Sequence, residues 1–153
     1  MNALELLIED HSKVDELLTE AENAESQEQV RLFKQIKEEL DAHAHIEETI
    51  FYPYMKEHGD EELSDIILEG IEEHRQVKMF LRELDGLAED SEKFEPKLKV
   101  LKEDVEHHVE EEENEMFPMI RDQIEEEALE SLGVEMEEEK RKFLKSSNAS
   151  SGR

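Results

Sequence analysis

An all-α fold, an antiparallel up-down-up-down four-helix bundle, is predicted by three features of this 153-residue sequence. Leu, Glu, Lys, Ala and Met dominate, while Gly and Pro number only five and three, so helices are favoured and strand signals are few. Apolar residues recur in steps of three and four along four long stretches. The first half of the chain also resembles the second, with one His at a matching place in every stretch.

The first helix is expected over 2–22, opened by a capping box of Asn2 and Glu5, with Leu4, Leu7, Ile8, His11, Val14 and Leu18 on one face. Ser26 and Gln29 offer a second capping box. The helix after it carries Phe33, Ile36, Leu40, His43, Glu47, Ile50 and Tyr54 on its inner face, until Pro53 kinks or ends it and Gly59 caps it. The third helix is expected over 61–88, with Ile67, Ile71, His74, Val77, Leu81 and Leu84 inward. The fourth begins near Phe94 with Pro96 in its first turn, and its seam of Leu98, Leu101, Val105, His108, Glu112 and Met116 is interrupted at Pro118. A short C-terminal helix over 134–144 completes a domain spanning 1–145, and 146–153 reads as a disordered tail.

Ile8-Glu9-Asp10-His11-x-x-Val14 matches Ile71-Glu72-Glu73-His74-x-x-Val77. His43-x-x-x-Glu47-Glu48-x-x-Phe51-Tyr52-Pro53 matches His108-x-x-x-Glu112-Glu113-x-x-Met116-Phe117-Pro118. Short connections make neighbouring helices antiparallel, so a pseudo-twofold axis would relate the first helix pair to the second.

Composition narrows the function. The formal net charge of −27 repels phosphate backbones and anionic membranes, which argues against nucleic-acid and lipid-surface roles. With no Cys, disulfides, thiolate zinc sites and cysteine catalysis are excluded. No signal peptide is visible and no apolar run approaches the roughly 20 residues that span a bilayer, so the expectation is a cytoplasmic protein.

A lone His on an apolar face is more often a hydrogen-bonded core residue than a ligand. Four of them, one per helix and alike in both halves, resist that explanation, because each uncompensated polar group costs about 1–3 kcal/mol to bury. Glu47 and Glu112 each follow a seam His by four residues, one helical turn, so the two side chains of each pair face the same spot. Four imidazoles and two carboxylates at one level call for cations. Mixed nitrogen and oxygen donors suit iron, manganese or zinc, and six donors suit two metals bridged by Glu47 and Glu112, with positions left open for water, hydroxide or dioxygen. No His has Glu three residues before it, so the Glu-x-x-His arrangement of ferritin-like di-iron bundles is absent.

His45 falls about 200° around its helix from His43, and His107 about 100° from His108, which places both off the seam. His58 reads as a loop residue beside Gly59. Glu48 and Glu113 are candidates to orient a ligand His, or surface acids. Tyr52, Tyr54, Phe51, Phe117 and Met116 read as closing the end of the bundle.

Together, His11, His43-x-x-x-Glu47-Glu48 before Phe-Tyr-Pro, Glu-Glu-His74, and His108-x-x-x-Glu112-Glu113 before Phe-Pro resemble the hemerythrin-like (HHE cation-binding) domain family, over roughly residues 1–145. The resemblance implies a bundle holding two iron ions, oxo- or hydroxo-bridged, with His74 and His108 on one iron, His11 and His43 on the other, and Glu47 and Glu112 bridging. It also implies binding or sensing of dioxygen or another small diatomic or peroxide ligand, or the handling of iron. Oxygen-carrying hemerythrins place a further His where this chain has Gly70, and a second bridging Asp five residues after its His where this chain has Glu112 at four. These departures weaken a dedicated oxygen carrier and strengthen sensing, iron handling or redox chemistry.

Two other functions compete with a di-iron binder: an enzyme reducing peroxide or nitric oxide at the same site, and a metal-free interaction bundle whose His residues are satisfied by carboxylates. No output domain is visible, though the segment 129–144 offers a place for an unidentified protein partner.

Overall fold

The computed structural model describes residues 1–151, and among them every regular element is helical and no strand occurs. Helix α1 (Ala3–Glu22) starts as expected. The Glu5 amide donates to the Asn2 side chain at 2.9 Å, and the Asn2 amide donates to the Glu5 carboxylate at 3.0 Å. Helix α2 (Ser26–Ile46) starts differently. Its cap is Glu25, which makes no side-chain cap bond, and Gln29 turns inward to donate to the Ala21 carbonyl at 3.0 Å. The second capping box therefore does not form; closing the exposed end of α1 takes its place.

The prolines do not end their helices. A π-helical turn over Glu47–Phe51 leads directly into α3 (Tyr52–His58), and a second over Glu112–Met116 leads into α6 (Phe117–Gln123). Pro53 and Pro118 have no N–H to donate, and the wider turn shifts the ladder so that the Tyr52 and Phe117 amides reach back to the Glu47 and Glu112 carbonyls. The extra residue in each turn rotates the helix that continues from it. Phe51, Tyr52 and Met55 are buried, whereas Ile50 and Tyr54, inward on the sequence pattern, are only partly so.

Helix α4 (Glu61–Asp85) is capped by Asp60, which accepts from the Leu63 amide at 2.9 Å, and it ends three residues earlier than expected, at Gly86. Helix α5 (Phe94–Glu111) follows. Helices α1, α2, α4 and α5 form the four-helix bundle, with α1 against α2 and α5, and α4 against α5 and α2.

The C-terminal helix α7 (Glu126–Ser151) is longer at both ends than the expected 134–144, and the last residues of the tail expected over 146–153 lie outside the described residues. Leu129, Leu132 and Met136 are buried, with α7 lying across α1 and α2. The apolar face of 129–144, a candidate partner surface on sequence alone, is thus covered by this chain's own bundle. Close approach is made possible by Gly133, where a Cβ would stand 2.2 Å from the Met1 carbonyl oxygen.

Two apolar clusters fill the interior. One gathers Leu4, Leu7, Phe51, Tyr52, Met55, Phe117 and Met136, and the other Leu18, Phe33, Ile36, Leu81, Leu98 and Leu101. The four seam histidines lie between them.

Candidate metal centre

Each long helix of the bundle delivers one imidazole to the same level: His11 from α1, His43 from α2, His74 from α4 and His108 from α5. Glu47 and Glu112 open the two π turns and are 0% and 1% exposed. All six residues singled out in the sequence are brought together. Glu47 Oε1 lies 3.2 Å from His43 Nε2 and 2.9 Å from His74 Nε2. Glu112 Oε1 lies 3.1 Å from His11 Nε2, and its Oε2 lies 3.0 Å from His108 Nε2. Each carboxylate thus touches one His from each half of the repeat.

The outer nitrogens of the rings are all engaged. Nδ1 of His11 pairs with Glu113 (2.6 Å), of His43 with Asp10 (3.0 Å), of His74 with Glu48 (2.8 Å) and of His108 with Glu73 (2.7 Å). An Nδ1–H donating to a carboxylate leaves Nε2 as a lone pair, and all four Nε2 atoms face the centre. His74 Nε2 and His108 Nε2 stand only 3.2 Å apart, a repulsive approach of two lone pairs unless a cation or proton lies between them.

Other buried atoms lack hydrogen bonds: His11 Nε2, His43 Nε2, both oxygens of Glu47 and Glu112 Oε1. So many orphaned donor atoms in one spot would be costly in a finished protein core. They fit divalent metal ions. Glu47, His74, His108 and Glu112 each offer an atom within 4.8 Å of the others, and His11, His43 and Glu112 form a second such group.

With protons as the only cations, the electrostatics show the same demand. Burial alone would lower the His43 pKa, but Glu47 and Asp10 outweigh it and raise it to about 10. His74 and His108 are likewise raised against burial, by Glu47 and Glu48 and by Glu112 and Glu73. Glu112, which burial would raise, is instead held well below the usual carboxylate range by His108 and His11. Hydrogen bonding to His74, with help from Lys78, lowers Glu48 to about 2.

The sequence pattern assigns Tyr52 to the closed end of the bundle, yet its hydroxyl donates to Glu112 Oε2 at 2.5 Å and lies 3.5 Å from His74 Nε2. Burial, then Glu112 and Glu47, push the phenol pKa well above its ordinary value, so it stays protonated. Gly70 makes the space: a Cβ there would stand 3.2 Å from the Tyr52 oxygen and 3.6 Å from His108 Cε1. A tyrosine hydroxyl therefore sits beside the residue that stands in place of the carriers' extra histidine. The one-residue shift of the π turn hides this from a helical-wheel reading.

Sequence reasoning misses Asp10 and Glu73 as well, although both occupy the place just before a seam His in the repeated motif. Glu48 and Glu113, candidates from sequence, do orient His74 and His11. His45 pairs with Glu139 at 3.1 Å and stacks on Phe143, away from the centre, while His107 is largely exposed beside Glu111. His58 ends α3 with its ring against Tyr54. Beside His43 and His74, Val14, Leu40, Val77 and Leu81 line a mostly apolar cavity of about 40 Å³.

Comparison with known proteins agrees with this arrangement. The family model described as hemerythrin HHE cation binding domain matches residues 2–120. The crystal structure of a hemerythrin HHE cation binding domain-containing protein from Mycobacterium kansasii is similar, with a TM-score of 0.83 at 29% identity over 95% of this chain and 89% of that one. A DNA nickase of Nostoc sp. is 27% identical over 145 residues, 94% of this chain but 40% of the relative, so the chain spans about two-fifths of that protein's length.

Proposed function

This chain belongs to the hemerythrin HHE cation-binding family, and from that premise we propose that it holds two iron ions and binds or senses dioxygen or a related small oxidant, or handles iron. His74 and His108 would serve one ion, His11 and His43 the other, with Glu47 and Glu112 shared. The observation that carries the reading is the convergence of four imidazole lone pairs on two buried carboxylates, with His74 Nε2 and His108 Nε2 at 3.2 Å. When bound, the iron pair would supply Lewis acidity and exchangeable electrons.

The chain's own residues do the rest. Asp10, Glu48, Glu73 and Glu113 hold the imidazoles in the tautomer that presents Nε2, and they make the rings better donors. Leu40, Val77 and Leu81 keep water scarce beside the centre while leaving space that suits a small apolar molecule. Tyr52 holds a proton on a hydroxyl oxygen that lies 2.5 Å from Glu112 Oε2. That proton favours a second reading, an enzyme that reduces peroxide or nitric oxide, since such turnover consumes protons.

Anaerobic titration with ferrous ion, followed by dioxygen, peroxide or nitric oxide, separates the readings. With an external electron donor supplied to re-reduce the iron, an enzyme consumes peroxide or nitric oxide continuously, whereas a binder reacts once per loaded chain, and a metal-free bundle takes up no ferrous ion and keeps its melting temperature in chelator.

A further inference from the structure

The matched family sequence ends at residue 120, yet the structure extends the site's support beyond it. Lys140, on the inner face of α7, donates to Asp10 Oδ1 at 2.6 Å and lies 3.3 Å from Glu39, itself paired with Lys13 at 2.8 Å. The other oxygen of Asp10 accepts from His43 Nδ1 at 3.0 Å. One buried carboxylate therefore joins a helix outside the bundle to a ring that faces the centre.

Geometry favours a directed contact over a loose surface pair. The Asp10 and Lys140 side chains are 7% and 17% exposed, so solvent screens them little. Burial alone would lower the Lys140 pKa, but Asp10 and Glu39 raise it, so the ammonium stays charged. The helix is fixed along its length: Gly133 rests on the N-terminus of α1, Asn2 donates to Glu126 at 2.9 Å, and Phe143 stacks on His45 with ring centroids 4.6 Å apart.

We infer that Lys140 is a positioning residue for His43, so that docking of α7 and metal loading of the His11–His43 half are coupled through Asp10. This rests on the two-metal reading above. With Lys140 in place, Asp10 is anchored at one oxygen and holds the His43 ring with the other. When α7 lifts, Asp10 loses that anchor and the ring loses its fixed orientation. Coupling between two equilibria is reciprocal, so a metal that prefers the oriented ring must also favour docked α7.

The test uses the full chain, wild type and Lys140→Met, which keeps the unbranched apolar stem and removes the charged end, with Lys140→Arg as the conservative replacement. Anaerobic ferrous titration would read the affinity of each half, and hydrogen exchange over 129–145 would be followed with and without metal. In the wild type, loading should slow exchange across α7. In Lys140→Met, one of the two binding steps should weaken about tenfold, as for lost support of a metal-ligating His, and the response of α7 to metal should vanish, with Lys140→Arg restoring both. Wild-type uptake of two metals with unchanged α7 exchange would overturn the coupling alone, as would unaltered affinities in a folded Lys140→Met. A wild-type chain taking up no metal would overturn the two-metal reading and the coupling with it.

Discussion

The two halves of the centre carry matching donors in unlike surroundings. Beside His74 stands Tyr52, with its ring centroid 5.4 Å away and its hydroxyl on Glu112; at the matching place beside His11 stands Phe117, stacked at 6.2 Å, with nothing to donate. Gly70 opens space on the first side, while its counterpart in the repeat, Leu7, is fully buried on the other. The carboxylate behind His74, Glu48, is anchored by Lys78 from α4 at 2.9 Å, whereas the one behind His43, Asp10, is anchored by Lys140 from α7. The repeat therefore builds the donor set, and departures from it give each half a separate character: one holds a proton, the other is tied to the C-terminal helix.

The largest expected effect abolishes the comparison. Glu47 and Glu112 each contact one imidazole of both halves, so on the proposed two-metal reading Glu47→Ala should empty both, whereas His11→Ala should empty only its own. Elemental analysis after ferrous loading checks this; a Glu47→Ala chain that still holds a full complement would refute the bridging role.

Next is Tyr52→Phe, which makes the halves alike. Removing the hydroxyl leaves Glu112 Oε2 without its donor, so metal affinity should fall about 10–100-fold, as for other partners of metal ligands. The metal-free protein should lose about 1.5–3 kcal/mol, the worth of a hydrogen bond to a charged group, in urea unfolding. Ferrous titration should place the larger loss in the half that holds His74, and an equal loss from both halves would argue against the asymmetry.

The metal-free chain should also respond to pH. His43 moves from an ordinary 6.5 to about 10 on folding, so its contribution is full below pH 6.5 and is lost as pH rises through 10. Urea midpoints at pH 7 and pH 10 should differ without metal. They should differ far less with metal, because a ligated Nε2 has no lone pair for a proton.

The smallest effect concerns Gly70. Alanine gains up to about 1 kcal/mol of helix propensity over glycine, but its Cβ would press on the Tyr52 oxygen at 3.2 Å. Gly70→Ala should therefore leave stability near its starting value and become stabilising when combined with Tyr52→Phe. Additive behaviour of the two changes would show that Gly70 does not make room for the phenol.

Sequence reasoning captures what period and repetition encode. The bundle, the six central side chains and the Asn2 cap follow from i, i+3 and i, i+4 spacing, which an unbroken α-helix preserves. Tyr52 escapes because the π turn over Glu47–Phe51 inserts a residue and turns it inward, a local response to Pro53 that a fixed period cannot express. Asp10 and Glu73 are written in the repeat, but their reach to a His on the neighbouring helix is a tertiary fact. Lys140 has no signal at all: in a chain with 45 acids, nothing local marks which lysine meets a buried one.

The most direct test is the iron content and visible absorption of the aerobically purified protein, before and after dithionite. Two irons per chain, with charge-transfer bands that bleach on reduction, are the expected result. A colourless protein that carries no iron and takes up no ferrous ion would contradict the account.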